Sequence, residues 1–274
     1  MRTLLLLTLV LIALVVLVIL VLNWRFHAQV RAVEMQVLQV DARDDCQPTQ
    51  VPEPVQRVAE RAGAGRGDQV RAIRLTQSAE MQMSADQPWQ PLSARQVISV
   101  TEPGFAWVAQ SRVGPINLIT VLDAFTAGAG QLRVRFLGAI PLANAEGPDL
   151  SLGEAMRYLA ELPWAPDAIL CNGAIGWSVA VDGWLEARLR LDGQDALVRL
   201  RADETGDIVE ITATGRPAIQ PDGSTALMDW RGVFSDHADM GGRRIPLVGE
   251  VGYVEGGLYR PYWRGRITGY ELVR

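Results

Sequence analysis

The sequence predicts a mainly β (α+β) fold: a strongly curved antiparallel sheet or open half-barrel with two short covering helices, preceded by one transmembrane helix. Three observations predict it. Apolar and polar residues alternate with period two through most of the chain after residue 70, as in half-buried strands. Asp182-Gly183 and Asp192-Gly193 each separate two such runs by two residues, the spacing of a tight hairpin. Residues 4–22 carry no charge and a single weakly polar side chain, Thr8, so as a helix they span roughly one bilayer core.

The apolar run is longer than the ~7–15 residues of a secretory signal, and Val21-Leu22-Asn23-Trp24 offers no small-residue cleavage site. Residues 1–23 are therefore expected to stay as an uncleaved single-pass anchor in the cytoplasmic (inner) membrane, with Trp24 and Arg25 at the headgroup boundary. Residues 24–50 read as a juxtamembrane helix, carrying Val30, Val33, Val37 and Leu38 at helical spacing, and a linker that breaks it over 41–50. Residues 51–274 read as a single β-rich soluble domain. A short helix starts near Pro54, which sits where a missing N–H is harmless, and Gly63, Gly65 and Gly67 stop it.

Strands are expected at 70–83, 90–100, 105–112, 116–123 and 131–138, then at 175–181, 184–191, 196–202, 208–214, 226–235, 244–254 and 258–270. The run 175–214 forms a four-stranded meander, with both Asp-Gly pairs in type I′ turns. Between the two strand groups lies a helix over 150–162, with Leu152, Met156, Leu159 and Ala160 on one face, Ser151 as its cap ahead of Glu154, and Pro163 ending it. A sheet apolar on one face must be covered, so it curls around these helices and leaves a concave apolar interior.

Composition excludes several chemistries. Every basic side chain among the 26 is arginine, which removes a Schiff-base lysine and a phosphate-loop lysine. A formal net charge of −5 without a basic cluster argues against nucleic acid as a partner. Two histidines, His27 and His237, cannot build a multi-histidine metal centre, and His237 reads as a loop residue. No Gly-x-Ser-x-Gly elbow is present, and Gly128-x-Gly130 is a turn between strands. No cofactor and no metal ligand is expected. Cys46 and Cys171 read as a linker thiol and a buried small hydrophobe more readily than as a disulfide.

Several motifs carry a resemblance. Val-Pro-Glu-Pro-Val-Gln-Arg at 51–57, Trp-Gln-Pro-Leu-Ser-Ala-Arg-Gln at 89–96, Pro-Gly-Phe-Ala-Trp at 103–107, Asp123 with Gly128-Ala129-Gly130, and Met-Arg-Tyr-Leu-Ala-Glu-Leu-Pro-Trp-Ala-Pro at 156–166 resemble an uncharacterised bacterial membrane-associated family. The resemblance runs in unbroken order from about Val51 onward, and departs from the family pattern at Val58 and Leu92. It implies no activity. The order of short helix, long strands, central helix and long strands resembles the Lol-type lipoprotein carriers, whose open β-barrel holds acyl chains; it is a likeness of fold.

The residues left to carry chemistry are acidic and aromatic: Asp123, Glu161, Trp164 and Asp167, with Trp107 and Trp177 on strands. The expectation is a binding module, not an enzyme, that holds membrane lipid, an acyl chain or another apolar ligand against the concave sheet. Trp107, Asp123, Glu161, Trp164 and Trp177 are its candidate ligand-binding residues, with Glu161 near the mouth and paired with an arginine such as Arg133 or Arg135. The domain is expected outside the cytoplasm, on the remote carrier likeness. Two alternatives stay open: a hydrolase or isomerase using the carboxylates of Asp123 and Glu161, and a protein-interaction domain with a filled core. No protein partner is indicated.

Overall fold

The computed structural model describes residues 1–39, 50–65, 69–84, 86–220 and 223–274. Helix α1 runs unbroken over Arg2–Leu38, so the apolar segment and the juxtamembrane segment are one helix. Most of the expected break at 41–50 lies outside the described residues, as does Gly67. Helix α2 (Glu53–Arg61) has Pro54 in its first turn and ends before Gly63 and Gly65, both at positive φ.

Six strands follow: β1 (Ala72–Met81), β2 (Gln90–Ser99), β3 (Phe105–Val113), β4 (Ile116–Thr126), β5 (Ala129–Phe136) and β6 (Ile140–Glu146). A helical passage comes next, with α3 (Pro148–Ala160), a 3-10 turn (Leu162–Trp164) and α4 (Pro166–Cys171). The chain ends with β7 (Gly176–Val179), β8 (Leu185–Leu191), β9 (Gln194–Ala202), β10 (Ile208–Ile219), β11 (Thr225–Met240), β12 (Arg243–Glu255) and β13 (Leu258–Val273). All thirteen described strands form one antiparallel sheet in the order β6-β5-β4-β3-β2-β1-β13-β12-β11-β10-β9-β8-β7. Two meanders thus grow outward from a central seam, where β13 lies beside β1 with Ala72 opposite Val273. The free edges belong to β6 and β7, and the helical passage connects one edge to the other across the concave face, where α3 meets β4, β5 and β6 as well as β8, β9 and β10.

The meander over 175–214 is present as β7 to β10. Its turns differ from each other. Asp192 (φ 41) and Gly193 (φ 87) both take positive φ, as a type I′ turn requires. At the other pair only Gly183 does (φ 83): its N–H donates to the Ala180 carbonyl, and Ala180 N–H donates to Trp184 O, a longer loop closed by one left-handed glycine. Strand β6 was not expected; Pro141 masks it in the sequence and is tolerated because β6 is an edge strand. The capping box at Ser151 is also absent. Gly147 is the cap position of α3, while Ser151 Oγ donates to the Gly147 carbonyl and accepts from Gly130 N–H. A Cβ at Gly130 would lie 3.0 Å from the backbone of Leu150 and Ser151, so glycine lets β5 approach the start of α3.

Alternation gives the sheet two different apolar faces. The concave face, with Ile73, Leu75, Ile98, Phe105, Trp107 and Phe125, packs on α2, α3 and α4. The convex face carries Ala72, Val97, Ala106, Val108, Leu122, Ala124 and Val273, and against it lie Phe26, Val30, Val33 and Val37 of α1. Each of those helix side chains contributes roughly 1.5–3 kcal/mol by burial. Glu34 accepts from Arg95 at 2.7 Å, and the Arg135 guanidinium stands over the Phe26 ring. Cys171 is disulfide-bonded, against expectation; the chain's other cysteine, Cys46, lies outside the described residues.

Candidate functional site

The helical passage fills only part of the concave interior. The rest is a cavity of about 1070 Å³ that begins at the outer ends of β1 and β2, at Met81, Met83 and Trp89, and runs inward along Leu92, Val121, Leu132 and Val134 to Trp107. Its lining is mainly apolar, because the inward residues of strands such as β5 alternate with arginines such as Arg133 and Arg135 that face out. Trp164 forms one wall. Its Nε1–H donates to the Pro246 carbonyl at 2.9 Å, and its ring meets Phe234 and Trp263 edge-on. Gly249 is required there, since a Cβ would come 2.9 Å from the Trp164 ring.

At the inner end five charged side chains converge. Glu154 and Arg157 of α3 and Glu161, its C-cap residue, are spaced i, i+3 and i+7 and so lie on one side of the helix. Arg157 bridges two carboxylates, donating from Nη1 to Asp123 Oδ2 at 2.6 Å and from Nε to Glu161 Oε1 at 2.8 Å. The Phe105 and Trp107 rings flank its guanidinium at 4.7 and 5.1 Å. A chain of amides continues the network: Trp107 Nε1–H donates to Gln77 Oε1, Gln77 to Gln96, and Gln96 to Glu161 Oε2. Opposite, Arg216 donates to the Tyr253 hydroxyl at 2.9 Å, stands over the Trp230 ring and lies 3.6 Å from Glu154.

Three carboxylates face two guanidinium groups in a desolvated place. Burial pushes the Glu154 carboxyl up from its ordinary 4.5 to about 8, with the negative charge of Asp123 adding to the effect. Burial also raises Asp123, against the pull of Arg157 and Arg216. The carboxylates hold Arg157 firmly charged despite its burial. Among the described residues, Asp123 Oδ1, Glu154 Oε2 and Arg216 Nε are buried without a hydrogen-bond partner, and all three residues line the cavity.

The structure places Trp107, Asp123, Glu161 and Trp164 around one cavity. Glu161 stands at its inner end beside Gln96, not near the mouth, and its arginine is Arg157; Arg133 pairs with Glu146, and Arg135 reaches Asn144. Trp177 lies on edge strand β7 away from the cavity. Asp167 belongs elsewhere, in a buried bidentate pair with Arg243. His237 is on strand β11 and not in a loop, its ring bonded to the Ile208 carbonyl. The arginines Arg157 and Arg216 carry no expected role in the sequence and Glu154 only that of a cap, although the spacing of Glu154, Arg157 and Glu161 on one helix face is visible there.

The profile described as "Family of unknown function (DUF6544)" matches residues 41–265. The chain belongs to that family. No curated protein matches the sequence. Among solved structures, a LolA superfamily protein from Nitrosomonas europaea is similar over 80% of this chain and 94% of its own, at 9% identity and a TM-score of 0.42. A DUF1329 family protein from Desulfovibrio piger is similar over 81% and 94%, at 10% identity and a TM-score of 0.44. The first is of the Lol type that the order of elements resembles. At these scores neither likeness carries a functional argument, and function is read from this chain's own cavity.

Proposed function

We propose that this chain is a single-pass membrane protein whose residues 51–274 form one domain outside the cytoplasm and hold an apolar ligand, a lipid or its acyl chain, in the cavity of the curved sheet. The cavity itself carries the reading: about 1070 Å³ of mainly apolar lining, at the upper end of the ~300–1,000 Å³ of ligand pockets. Each methylene removed from water there contributes about 0.8 kcal/mol, so an acyl chain overcomes the cost of its own ordering. Trp107, Trp164, Leu132 and Val134 contact the chain, and Asp123, Glu161 and Arg157 lie beside its inner end. An open interior weighs against an interaction domain with a filled core. The guanidinium between Asp123 and Glu161 weighs against an acid–base pair converging on one substrate atom.

The anchor is supported by continuity, because α1 passes from its apolar part into the segment docked on the sheet without an extended stretch for a processing enzyme. The disulfide at Cys171 supports an oxidising compartment, hence the outer side of the cytoplasmic membrane. Native mass spectrometry of the detergent-purified full chain tests the reading. A lipid-sized adduct is expected, together with saturable uptake of a fluorescent fatty-acid analogue. Val121→Arg, which sets a charge in the half-buried wall of the cavity, is expected to weaken that uptake at least tenfold while the melting temperature stays close to the parent's. Absence of both adduct and uptake in the unsubstituted chain overturns the proposal.

A further inference from the structure

Helix α1 leaves the domain at Asn23. Its side-chain amide donates to the Leu137 carbonyl at 2.8 Å, at the tip of the β5–β6 hairpin, where a Cβ on Gly138 (φ +65) would overlap that amide. From there the helix lies along the convex face, with Phe26 under Arg135 and, two turns on, Glu34 against Arg95. Its apolar part, residues 4–22, therefore projects the other way, past the hairpin tips, and its leucines and valines there are exposed.

The neighbouring β3–β4 hairpin reaches further in that direction. Leu137 N–H donates to the Leu118 carbonyl, and β4 continues beyond this level through Asn117, opposite Arg112, to Ile116, opposite Val113. Two further residues at ~3.4 Å each carry the tip about 7 Å past the docking point of Asn23. The tip therefore extends on the side from which the apolar run of α1 leaves the sheet. That tip reads Val113-Gly114-Pro115-Ile116, without charge, and Val113 and Ile116 are 65% and 54% exposed; Ile140, on the adjacent hairpin, is 47% exposed. Arg112 follows at its base, and Trp24 and Arg25 mark the same boundary on the helix. The cavity reaches this end too, because Met81, Met83 and Trp89 belong to the β1–β2 connection, at the same end of the sheet as Val113.

We propose that the tip at 113–116, with Ile140 beside it, inserts into the leaflet from which α1 emerges, so that the cavity opens onto the bilayer and its ligand is exchanged with lipid without crossing water. The inserted tip rests on the anchor part of the reading above, and the exchange of ligand rests also on its ligand part. The test uses the full chain reconstituted in phosphatidylcholine vesicles with and without bromine on the acyl chains. Ile116→Trp adds a fluorophore at the tip, and Val181→Trp adds one at an exposed turn at the opposite end of the sheet. Relative to the unsubstituted chain, the emission added by Ile116→Trp is expected to fall at least twofold in brominated vesicles, and that added by Val181→Trp to stay unchanged. Equal behaviour of the two variants in chains that float with the vesicles overturns the inserted tip and leaves the anchor standing. Chains that do not float overturn both. Quenching at position 116 without any uptake of fatty-acid analogue leaves the inserted tip standing and removes the ligand.

Discussion

Two groups of buried charges use the same residue types to opposite ends. Arg243 and Asp167 are 1% and 3% exposed and meet bidentately, Nε to Oδ2 at 2.9 Å and Nη2 to Oδ1 at 2.8 Å, which fastens the start of α4 to the start of β12. Arg157 and Arg216 face Asp123, Glu154 and Glu161 with one acid in excess, and an oxygen on each of two carboxylates has no partner. The first group is closed, and its burial is compensated within the pair. The second is open on a cavity, and its uncompensated burial lowers the stability of the fold. Where a chain keeps such an arrangement, the idle acceptors face whatever enters.

The contrast is sharpest in what removal does. Arg243→Met strands the Asp167 carboxylate in the core and is expected to cost about 3–5 kcal/mol, read as a lower urea midpoint. An unchanged midpoint would remove the distinction between fastening and open cluster. The open cluster is expected to respond to pH instead. Glu154 binds its proton more tightly in the folded chain than in the unfolded one, so stability is full below its ordinary 4.5 and is lost as pH rises from there through about 8. The loss is on the order of a few kcal/mol, Asp123 adds in the same direction, and Glu154→Gln flattens the slope. Denaturant melts of parent and variant at pH 5 and pH 9 measure it; parallel slopes would contradict the burial of Glu154 as its cause.

Arg157→Met comes next, at roughly 1–3 kcal/mol, because Asp123 and Glu161 lose their shared donor yet border a cavity into which water can relax. A loss equal to that of Arg243→Met would show that the cavity does not relieve the charge. The smallest effect is expected at the surface. Arg266 and Asp236 meet at 2.6 Å but are 53% and 51% exposed, and Arg266→Ala should change stability by less than about 1 kcal/mol, declining further in salt. A larger change would mean that exposure does not rank these pairs.

Period-two alternation made most of the strands legible, and residues 185–191 and 131–136 show why: their apolar positions face one side and their arginines the other. Strand β6 escaped because Pro141 and Asn144 are turn residues by composition, and only its place at an edge makes them strand residues. The seam of β1 with β13 was beyond reach, since pairing between strands so far apart in sequence leaves no local signal. The site was half legible. Trp107, Asp123, Glu161 and Trp164 stood out as the acidic and aromatic residues left to carry chemistry, but Glu154 was read as part of a cap and Arg157 was given no role. Arg216 follows Gly215 at an irregularity between β10 and β11, and nothing near it in the chain points inward.

The central seam also governs how the chain comes together in time. Ala72 pairs with Val273 and Met81 with Trp263, so the inner edge of β1 has no neighbour until β13 has been made. Until then the first meander is a separate sheet with an open edge at β1, already seated on α1 through its outer face. Closing a seam between the first strand and the thirteenth pays the largest loop entropy last, which makes assembly slow and dependent on β13. A ribosome that stops before residue 258 leaves two half-sheets joined only through α3 and α4, each offering an unpaired strand to any neighbouring copy.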